Sequence, residues 1–303
     1  MAKGLSMTVI FQAGSLNYGE GIGNISELKK LRRGNGNVYT YASRQCLRYD
    51  IARLGHELFS WNLQVVDKSK GTMQFKDEYT IKDSPEMDLF GYMKTKAKGD
   101  NEKGGADTRS AAARISHAIS VEPYKSDMDF MTSKGLADRI HEQCDPVNVE
   151  QHQSYYTYTI TIDLDKVGVD GKVILDNSEK QKRVKELLTI VKLLNRNIRG
   201  RQETLAPLFV IGGIYDIANP FFQGRIDLET KGDKYSIKIK PIESALETTL
   251  FDKSIKEDTI IGMVDDIFAN KAEFKKILPN QVLSVEKYFK ALEEKLDEIY
   301  HQR

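Results

Sequence analysis

The chain has 303 residues, of which 40% are hydrophobic and 29% are charged, and this composition excludes a disordered protein. Its apolar runs are too short to cross a bilayer, and no signal-peptide pattern opens the chain, so we expect a cytoplasmic protein with no membrane partner. The net charge of +1 favours no class of partner by itself.

The distribution of charge says more than its sum. Residues 29–53 hold seven basic residues and one acid, and residues 178–203 hold eight basic residues and three acids. Residues 243–303 run the other way, with 13 acids and 9 bases. Two basic segments and an acidic end indicate a groove for a polyanion on one face and a different partner surface elsewhere. The alternative is that each basic segment is a solvated helix face.

The chain is predicted to begin with a strand over residues 7–14. Residues 15–37 are rich in glycine and predict a connection that carries a short helix around residues 25–32. The next helix begins behind a serine cap at Ser43 and is expected to stop at Gly55.

The middle of the chain alternates strands and loops, and one strand is especially clear. Residues 154–165 alternate between two sets of side chains, as a strand buried on one face does. A long helix is predicted from about residue 178 to residue 197. The remaining predictions are a strand at 88–95, a mobile loop at 96–113, a strand at 114–124, a strand at 205–216, a hairpin around 231–233, and helices near 243–251, 258–270 and 283–300.

The predicted order of elements is strand–helix–strand–strand–helix–strand with long insertions. This is the ferredoxin-like split βαβ pattern and gives an α+β fold class. Many RNA-binding domains use that architecture, although a fold does not establish a function.

Most of the familiar chemical motifs are missing from the sequence. The glycine-rich runs at 19–24 and 32–37 lack the Gly-Lys-Ser/Thr end of a phosphate loop, and residues 163–168 only begin like a calcium loop. His141, Cys144 and His152 have no second pair of ligands at zinc-like spacing. We therefore expect no metal and no other cofactor, and no residue pattern indicates an enzyme.

The start of the helix behind Ser43 is the strongest candidate site. Arg44, Gln45 and Arg48 lie off the apolar stripe, beside the Ser43 hydroxyl and the free N–H groups of a helix start. Such donors suit a phosphate group. The alternative is a capped helix with solvated arginines.

Neighbouring residues favour the phosphate interpretation. The basic loop just before the helix and the tyrosines around it combine positive charge with rings that can stack on unpaired bases. These residues are Lys29, Lys30, Arg32, Arg33, Tyr39, Tyr41 and Tyr49.

Four stretches together resemble a known family. They are S-L-N at 15–17, YASRQCLR at 41–48, RISHAISVEPYKSDMDF at 114–130 and RGRQETLAPLFVIGGIYDIANPFF at 199–222. In this combination and order they resemble the backbone subunits of type I CRISPR surveillance complexes (Cascade), closest to the DevR type of subtype I-B, within the RAMP superfamily. The resemblance runs from residue 5 to about residue 225.

The resemblance implies a hand-like fold. Its palm is a modified RNA-recognition motif, its fingers are a helical insertion, and its thumb is extended. The implied ranges are 1–55 for the first half of the palm, 56–110 for the fingers-like insertion with its mobile loop, 111–198 for the second half of the palm, 199–225 for the thumb, and 226–303 for a hairpin and C-terminal helices that pack on the palm.

The resemblance also implies a function in antiviral defence. Several copies would assemble in a helical filament along the CRISPR guide RNA, each gripping the backbone, while base pairing reads the target DNA. The other partners implied are the cap, large and RNA-processing subunits of Cascade.

Individual residues can be carried over from the family pattern. Ser43, Gln45 and Arg48 match a Ser-x-Gln-x-x-basic phosphate-binding pattern, and Arg44 belongs to the variant typical of subtype I-B. Asn17 matches an asparagine that lies near the RNA.

This sequence also departs from the family pattern. Tyr18 and residues 39–41 replace basic residues of the family, so no family contact is carried over to those positions. Arg32 and Arg33 are expected to supply the missing charge. Arg199 and Arg201, in the implied thumb, are weaker candidates for RNA contacts.

The sequence therefore predicts a non-catalytic RNA-binding subunit. The alternative is an RNA-cleaving relative of the same superfamily, either a target-RNA nuclease or a guide-processing endoribonuclease, for which Asp107 is the aspartate to test. A DNA-binding transcriptional regulator is disfavoured because no helix-turn-helix pattern accompanies the basic segments.

Overall fold

The computed structural model describes residues 3–68, 71–96 and 105–301. The helices in these ranges are α1 Arg44–Phe59, α2 Pro85–Phe90, α3 Lys134–Ile140, α4 Asn177–Lys192, α5 Lys240–Leu246, α6 Lys271–Ile277 and α7 Val285–His301, with one 3₁₀ turn at Ile255–Glu257. Within the same ranges, no helix is both long enough and apolar enough to span a membrane.

The strands are mostly short, with two long exceptions in β1 and β13. In chain order they are β1 Gly4–Gly14, β2 Ile25–Ser26, β3 Lys30–Arg32, β4 Val38–Ala42, β5 Val66–Asp67, β6 Gln74–Phe75, β7 Tyr92–Lys96, β8 Gly105–Arg109, β9 Ala113–Ile115, β10 Ala118–Ser120, β11 Asp127–Thr132, β12 Pro146–Gln151, β13 Gln153–Asp163, β14 Val169–Asp170, β15 Val173–Ile174, β16 Asn195–Ile198, β17 Arg201–Thr204, β18 Phe209–Tyr215, β19 Leu228–Lys231, β20 Lys234–Ile237, β21 Thr249–Leu250, β22 Lys253–Ser254, β23 Thr259–Met263 and β24 Val282–Leu283.

One large sheet organises the fold. Its strand order is β24-β23-β18-β1-β13-β10-β4-β3, and β9 pairs with the other half of β13. β1 is antiparallel to β13 over eleven residues, from Gly4 opposite Asp163 to Gly14 opposite Gln153, and it is also antiparallel to β18. The helices α1 and α4 connect strands that are not neighbours, so the sheet is interleaved rather than sequential.

Each face of the sheet is covered by its own hydrophobic layer. On one face α1, α4 and α7 pack on β1 and β13, with Phe11, Leu47 and Leu188 fully buried. On the other face the residues after β18 supply the cover, with Phe209 and Phe274 buried against each other. A sheet buried on both faces gains stability from both layers, because each removes apolar surface from water.

The long elements follow their sequence patterns. β13 alternates as predicted, since Tyr156, Tyr158 and Ile160 are all buried in the helix-side layer. α1 begins behind Ser43 as predicted, but it continues past Gly55 to Phe59. Gly55 is interior because the ring of Trp61 lies where its Cβ would be, 2.3 Å away, so this glycine provides close packing rather than a stop.

Several short elements differ from their predictions. Residues 25–32 form β2 and β3 rather than a helix, because they pair with β12 and β4. Residues 259–263 form β23 in the large sheet, where all five residues are buried, and not part of a helix. Residues 88–90 are the end of α2, so the strand predicted over 88–95 begins only at Tyr92, as β7.

The insertion between α1 and β9 holds less helix than predicted. Within its described residues, 60–68, 71–96 and 105–110, it contains one helix of six residues, α2, and the hairpins β5–β6 and β7–β8. The predicted mobile loop at 96–113 is partly strand, because β8 pairs with β7 from Gly105 onward. Residues 97–104 of that predicted loop lie outside the described residues.

The range predicted as the thumb is also divided. It contains the β16–β17 turn but also β18, whose seven residues are all buried in the large sheet. A different segment stands out from the sheet: β11, α3 and β12 form an arm, and all six residues of β11 are exposed.

A buried carboxylate fixes the insertion to the core. Asp88 of α2 is fully buried and accepts from Arg183 of α4 at 2.9 Å and from Arg109 of β8 at 2.5 Å. It also accepts from the N–H of Gly168. Both arginines are buried as well, and Asp88 is the buried carboxylate that contacts both of them; Arg183 also pairs with Glu179 at 2.8 Å.

We expect Asp88→Ala to lower the free energy of unfolding by about 3–5 kcal/mol, because it removes the buried carboxylate that contacts two buried guanidinium groups. Urea denaturation followed by circular dichroism measures the change. The matched control is Asp138→Ala on α3, where the carboxylate is 63% exposed, and it should change stability by less than about 0.5 kcal/mol. A loss below about 1 kcal/mol for Asp88→Ala would contradict the anchoring role.

Candidate nucleic-acid interface

The segment after β1 brings three predicted residues together. Asn17 is buried, its side-chain amide donates to the Ser43 hydroxyl at 3.3 Å, and its carbonyl accepts from the N–H of Lys29 at 2.8 Å. The carbonyl of Lys29 in turn accepts from the N–H of Tyr41, next to the end of β4. The strand ends thus place Asn17 and Lys29 beside the start of α1.

The start of α1 is capped more completely than expected. The Ser43 hydroxyl accepts from the N–H of Cys46 at 3.2 Å, and the Ser43 carbonyl accepts from Leu47. The N–H of Arg44 donates to Nδ1 of His117 at 2.9 Å. The prediction of free N–H groups is therefore largely wrong: in the described part of the chain, only the N–H of Gln45 among these four has no partner.

A groove opens beside this helix start. Its volume is about 510 Å³, and the side chains of Arg44, Gln45, Arg48 and Arg114 line it. The other lining residues are Phe90, Ala111, Ala113, Ile115, Ser116, Thr159, Thr161, Ala218, Pro220 and Gln223. The predicted trio from α1 therefore shares one cavity with a third arginine from β9.

The arginines of the groove differ in how free they are. Arg44 and Arg114 are exposed, and neither has an ion-pair partner among residues 3–68, 71–96 and 105–301. Arg48 pairs with Glu86 at 2.9 Å, and its guanidinium lies 5.3 Å from the centre of the Phe90 ring. An anion can therefore reach two guanidinium groups directly and must compete with Glu86 for the third.

The chemistry of the groove suits a chain of phosphates. Guanidinium groups bind phosphate oxygens through paired hydrogen bonds, and the positive end of α1 adds to their field. The floor of the groove carries Thr159 and Thr161 of β13, and loop residues Ala218 and Pro220 form part of its wall. Three arginines and one aromatic residue, Phe90, are among its lining residues, so its chemistry suits a sugar–phosphate backbone.

Arg32 and Arg33 do not join this groove. They lie at the far end of the β3–β4 pair, where Arg32 is opposite Val38 and the guanidinium of Arg33 lies 4.1 Å from the centre of the Tyr39 ring. From Val38 to Ser43 the extended chain covers about 17 Å, at roughly 3.3 Å per residue. They therefore lie one strand length from the helix start and outside the groove, and their expected contribution of charge to RNA binding stays a prediction.

Arg199 and Arg201 contact the chain itself. Arg199, at the tip of the β16–β17 hairpin, lies 4.0 Å from the centre of the Tyr18 ring. Arg201 donates to the carbonyls of Gly14 and Ser15 at 3.0 and 3.2 Å and pairs with Glu203. Arg201 is thus already committed to protein partners.

The tyrosines expected to stack on bases differ in exposure. Tyr39 is buried, Tyr41 is half-buried against the His117 ring, and Tyr49 is 67% exposed on the outer face of α1. Tyr49 lines a second, shallower groove with Arg53 and other residues of α1. It is the one of the three that can stack on an unpaired base.

Sequence reasoning missed Arg114, Arg196 and the bond from Arg44 to His117. Arg114 reaches the groove because β9 pairs with β13, with Arg114 opposite Thr161. Arg196 of β16 binds Asp50 of α1 at 2.7 Å, and burial raises the pKa of Asp50 even though Arg196 opposes that shift. The sequence shows Ser116 and His117 in the RISH stretch, but strand register decides where they lie in the fold.

The candidate metal ligands are dispersed in the structure. Nδ1 of His152 lies 2.8 Å from the Thr40 hydroxyl, and burial lowers the pKa of His152. His141 ends α3 in a left-handed conformation. Among the residues that the structure describes, no three histidine, cysteine, aspartate or glutamate side chains are grouped to hold a metal ion.

Comparison with known proteins identifies relatives for most of the chain. The family described as "CRISPR-associated negative auto-regulator DevR/Csa2" matches residues 5–231. A "CRISPR-associated protein Cas7/Cst2/DevR" from Myxococcus xanthus (strain DK1622) is 28% identical over 174 residues, covering 52% of this chain and 56% of the relative. The chain thus matches only about half the length of that relative.

Two solved structures share the fold. A chain of a "CRISPR RNA-guided surveillance complex, pre-nicking" aligns with a TM-score of 0.57 and 12% identity, over 97% of this chain and 99% of that one. A chain of a "CRISPR RNA-guided surveillance complex" aligns with a TM-score of 0.55 and 14% identity, over 99% of both chains. At such low identity, these matches establish a common fold.

We expect Ser43→Ala to lower the free energy of unfolding by about 1 kcal/mol, because the Cys46 N–H loses its cap. The side-chain amide of Asn17 loses its partner as well. Urea denaturation measures the loss, and the matched control is Ser244→Ala, an exposed serine of α5. Equal stabilities for the two variants would show that Ser43 does not cap the helix.

Proposed function

Because the chain belongs to the DevR/Csa2 family of CRISPR-associated proteins, we propose that it is a guide-RNA-binding backbone subunit of a subtype I-B Cascade surveillance complex. The observation that carries the proposal is the groove beside α1, where Arg44, Gln45 and Arg48 share one cavity with Arg114. The fold shared with chains of RNA-guided surveillance complexes supports it. The complex would serve antiviral defence.

The proposed mechanism is electrostatic and independent of sequence. Arg44 and Arg114 bind phosphates directly, and Arg48 exchanges its partner Glu86 for a third phosphate. Each subunit alone binds weakly and with a steep salt dependence. Several copies on one guide RNA bind far more tightly, because linked sites raise the effective concentration.

We propose that the large sheet is the palm, a modified RNA-recognition motif. The central strand order β18-β1-β13-β10, with antiparallel neighbours and with α1 and α4 on one face, supports this interpretation. A ferredoxin-like domain has the same interleaved order. The groove lies where α1 meets the β9 edge of this sheet.

We assign the fingers and thumb to two insertions. The segment from residue 60 to residue 110, anchored by Asp88, would be the fingers. The arm of β11, α3 and β12 is a better thumb than residues 199–225, because it extends from the sheet while β18 is buried within it. Phe130 and Leu136, each 63% exposed on this arm, suit contact with a neighbouring copy.

The remaining partners follow from the proposed place in the complex. Copies of this chain would contact one another along the guide, and the cap, large and RNA-processing subunits would bind at the ends and sides of the filament. Target DNA would be recognised by pairing with the guide, so the subunit itself would read only the RNA backbone.

We expect Arg44→Glu with Arg48→Glu to abolish co-purification with small RNA. Each lost charge-assisted contact contributes about 1.5–3 kcal/mol, so two losses lower affinity on the order of 100-fold or more. The 260/280 nm absorbance ratio and RNA sizing of the purified protein measure the effect.

The control is Lys287→Glu with Lys290→Glu on α7, where both side chains are exposed. It makes the same change in charge and should keep the RNA. Circular dichroism checks that both double variants are folded. Full RNA recovery with folded Arg44→Glu/Arg48→Glu protein would refute the assigned site.

We also propose that the subunit is non-catalytic, and Asp107 provides the test. This residue lies exposed on β8, opposite Lys94 of β7. We expect the assembled complex to leave labelled complementary RNA intact, on denaturing gels, with wild-type and Asp107→Ala subunits alike. Cleavage that is lost in Asp107→Ala but kept in Asp129→Ala, an exposed aspartate of β11, would establish the RNA-cleaving alternative.

A further inference from the structure

The loop that carries Asn17 exchanges hydrogen bonds with the β16–β17 hairpin. Gly14 donates its N–H to Glu203 at 2.9 Å, and its carbonyl accepts from Arg201 at 3.0 Å. The Ser15 carbonyl also accepts from Arg201. The hairpin of β16 and β17, residues 195–204, therefore binds the backbone where β1 ends.

Arg196 of the same hairpin binds both the loop and α1, the helix that lines the groove. Its Nε donates to the Leu16 carbonyl at 2.7 Å, and its Nη1 binds the Asp50 carboxylate at 2.7 Å. Asp50 is 1% exposed and lies one and a half turns into α1. One guanidinium thus ties the loop and the helix together.

The backbone of this loop is strained at Ser15. Ser15 has a φ of 47°, in the left-handed region that residues with a side chain rarely adopt. The strained turn directs Leu16 into the helix-side layer and Asn17 toward Ser43. The loop is held from two sides: Ser15 exchanges two hydrogen bonds with the backbone of His152, each at 2.9 Å, and the hairpin binds the carbonyls of residues 14–16. Loss of the hairpin bonds would leave those carbonyls without their partners and let Asn17 shift away from the start of α1.

We infer that the β16–β17 hairpin is a clamp for the guide-binding groove, with Arg196 and Arg201 as positioning residues that act through the loop of residues 14–17. The inference rests on the proposed RNA binding. Both guanidinium groups are used by protein acceptors, so they support the site without neutralising phosphates. They differ in this respect from Arg44, which has a free guanidinium in the groove.

Salt dependence separates the two roles. For single-stranded nucleic acid, each neutralised phosphate contributes about 0.7 to the slope of log affinity against log salt. Arg44→Gln should therefore reduce the slope by about 0.7. Arg196→Gln and Arg201→Gln should each weaken binding by about tenfold at every salt concentration and leave the slope unchanged.

The experiment titrates a labelled single-stranded oligouridylate with the full-length protein over a series of salt concentrations. Lys192→Gln is the control: this lysine precedes the hairpin and pairs with exposed Glu286, so its loss removes one positive charge without touching the clamp. Thermal melting verifies folding. Arg196→Lys keeps a cation beside Asp50 and should recover part of the affinity.

A double-variant cycle tests the route of the effect. If the clamp acts through Asn17, then Arg201→Gln combined with Asn17→Ala should bind no more weakly than Asn17→Ala alone, because coupled residues are non-additive. Arg201 is partly exposed, so Arg201→Gln carries this test even if Arg196→Gln fails to fold.

The outcomes are distinct. A folded Arg201→Gln that binds within twofold of wild type, or one whose salt slope falls by about 0.7, overturns the clamp. Additive losses in the double variant overturn it as well. If the wild-type protein itself binds no oligouridylate, the proposed function fails, and this result is recognised before any variant is compared.

Discussion

The fold depends on the burial of β1 on both of its faces. Phe11 and Ile10 of β1 belong to opposite hydrophobic layers, so both layers are needed to bury this strand. The second layer comes from the chain after β18, including Phe274, which lies beyond the region matched by the family. Thr159 and Thr161 of β13 are not part of that layer and line the groove instead. The covering of β1 therefore also determines where a ligand can reach the sheet.

The positive charge that this protein can offer to a ligand depends on which cations lack an internal partner. The two basic segments of the sequence overstate the charge available to a ligand, because many of their arginines are committed to carboxylates. These are Arg48 with Glu86, Arg53 with Glu57, Arg183 with Asp88 and Arg196 with Asp50. Three of these pairs join different elements and the Arg53–Glu57 pair lies within α1, whereas Arg44 and Arg114 face the groove. A local count of charge cannot separate the paired arginines from the unpaired ones, because partners distant in the chain decide which is which.

The sequence predicted the long elements well and the short ones poorly, for physical reasons. β13 and α4 each carry a sustained period, and α1 has a strong cap in Ser43, so local signals suffice. Residues 25–32 and 259–263 are too short for a period to be decisive, and pairing with distant strands determines their conformation. The prediction that α1 stops at Gly55 was wrong because a glycine can allow close packing inside a helix as well as end one.

The site shows the same division between local and distant information. Ser43, Arg44, Gln45 and Arg48 could be found because one helix start carries them in sequence, and a helix start has known chemistry. The sequence could not show whether the N–H groups of this helix start are free. The N–H of Arg44 donates to His117, which is 73 positions away in the chain. The register of β9 on β13 and the position of β16 against α1 provide the remaining partners. A motif therefore predicts a kind of ligand, and the long-range contacts decide which of its groups remain available to bind it.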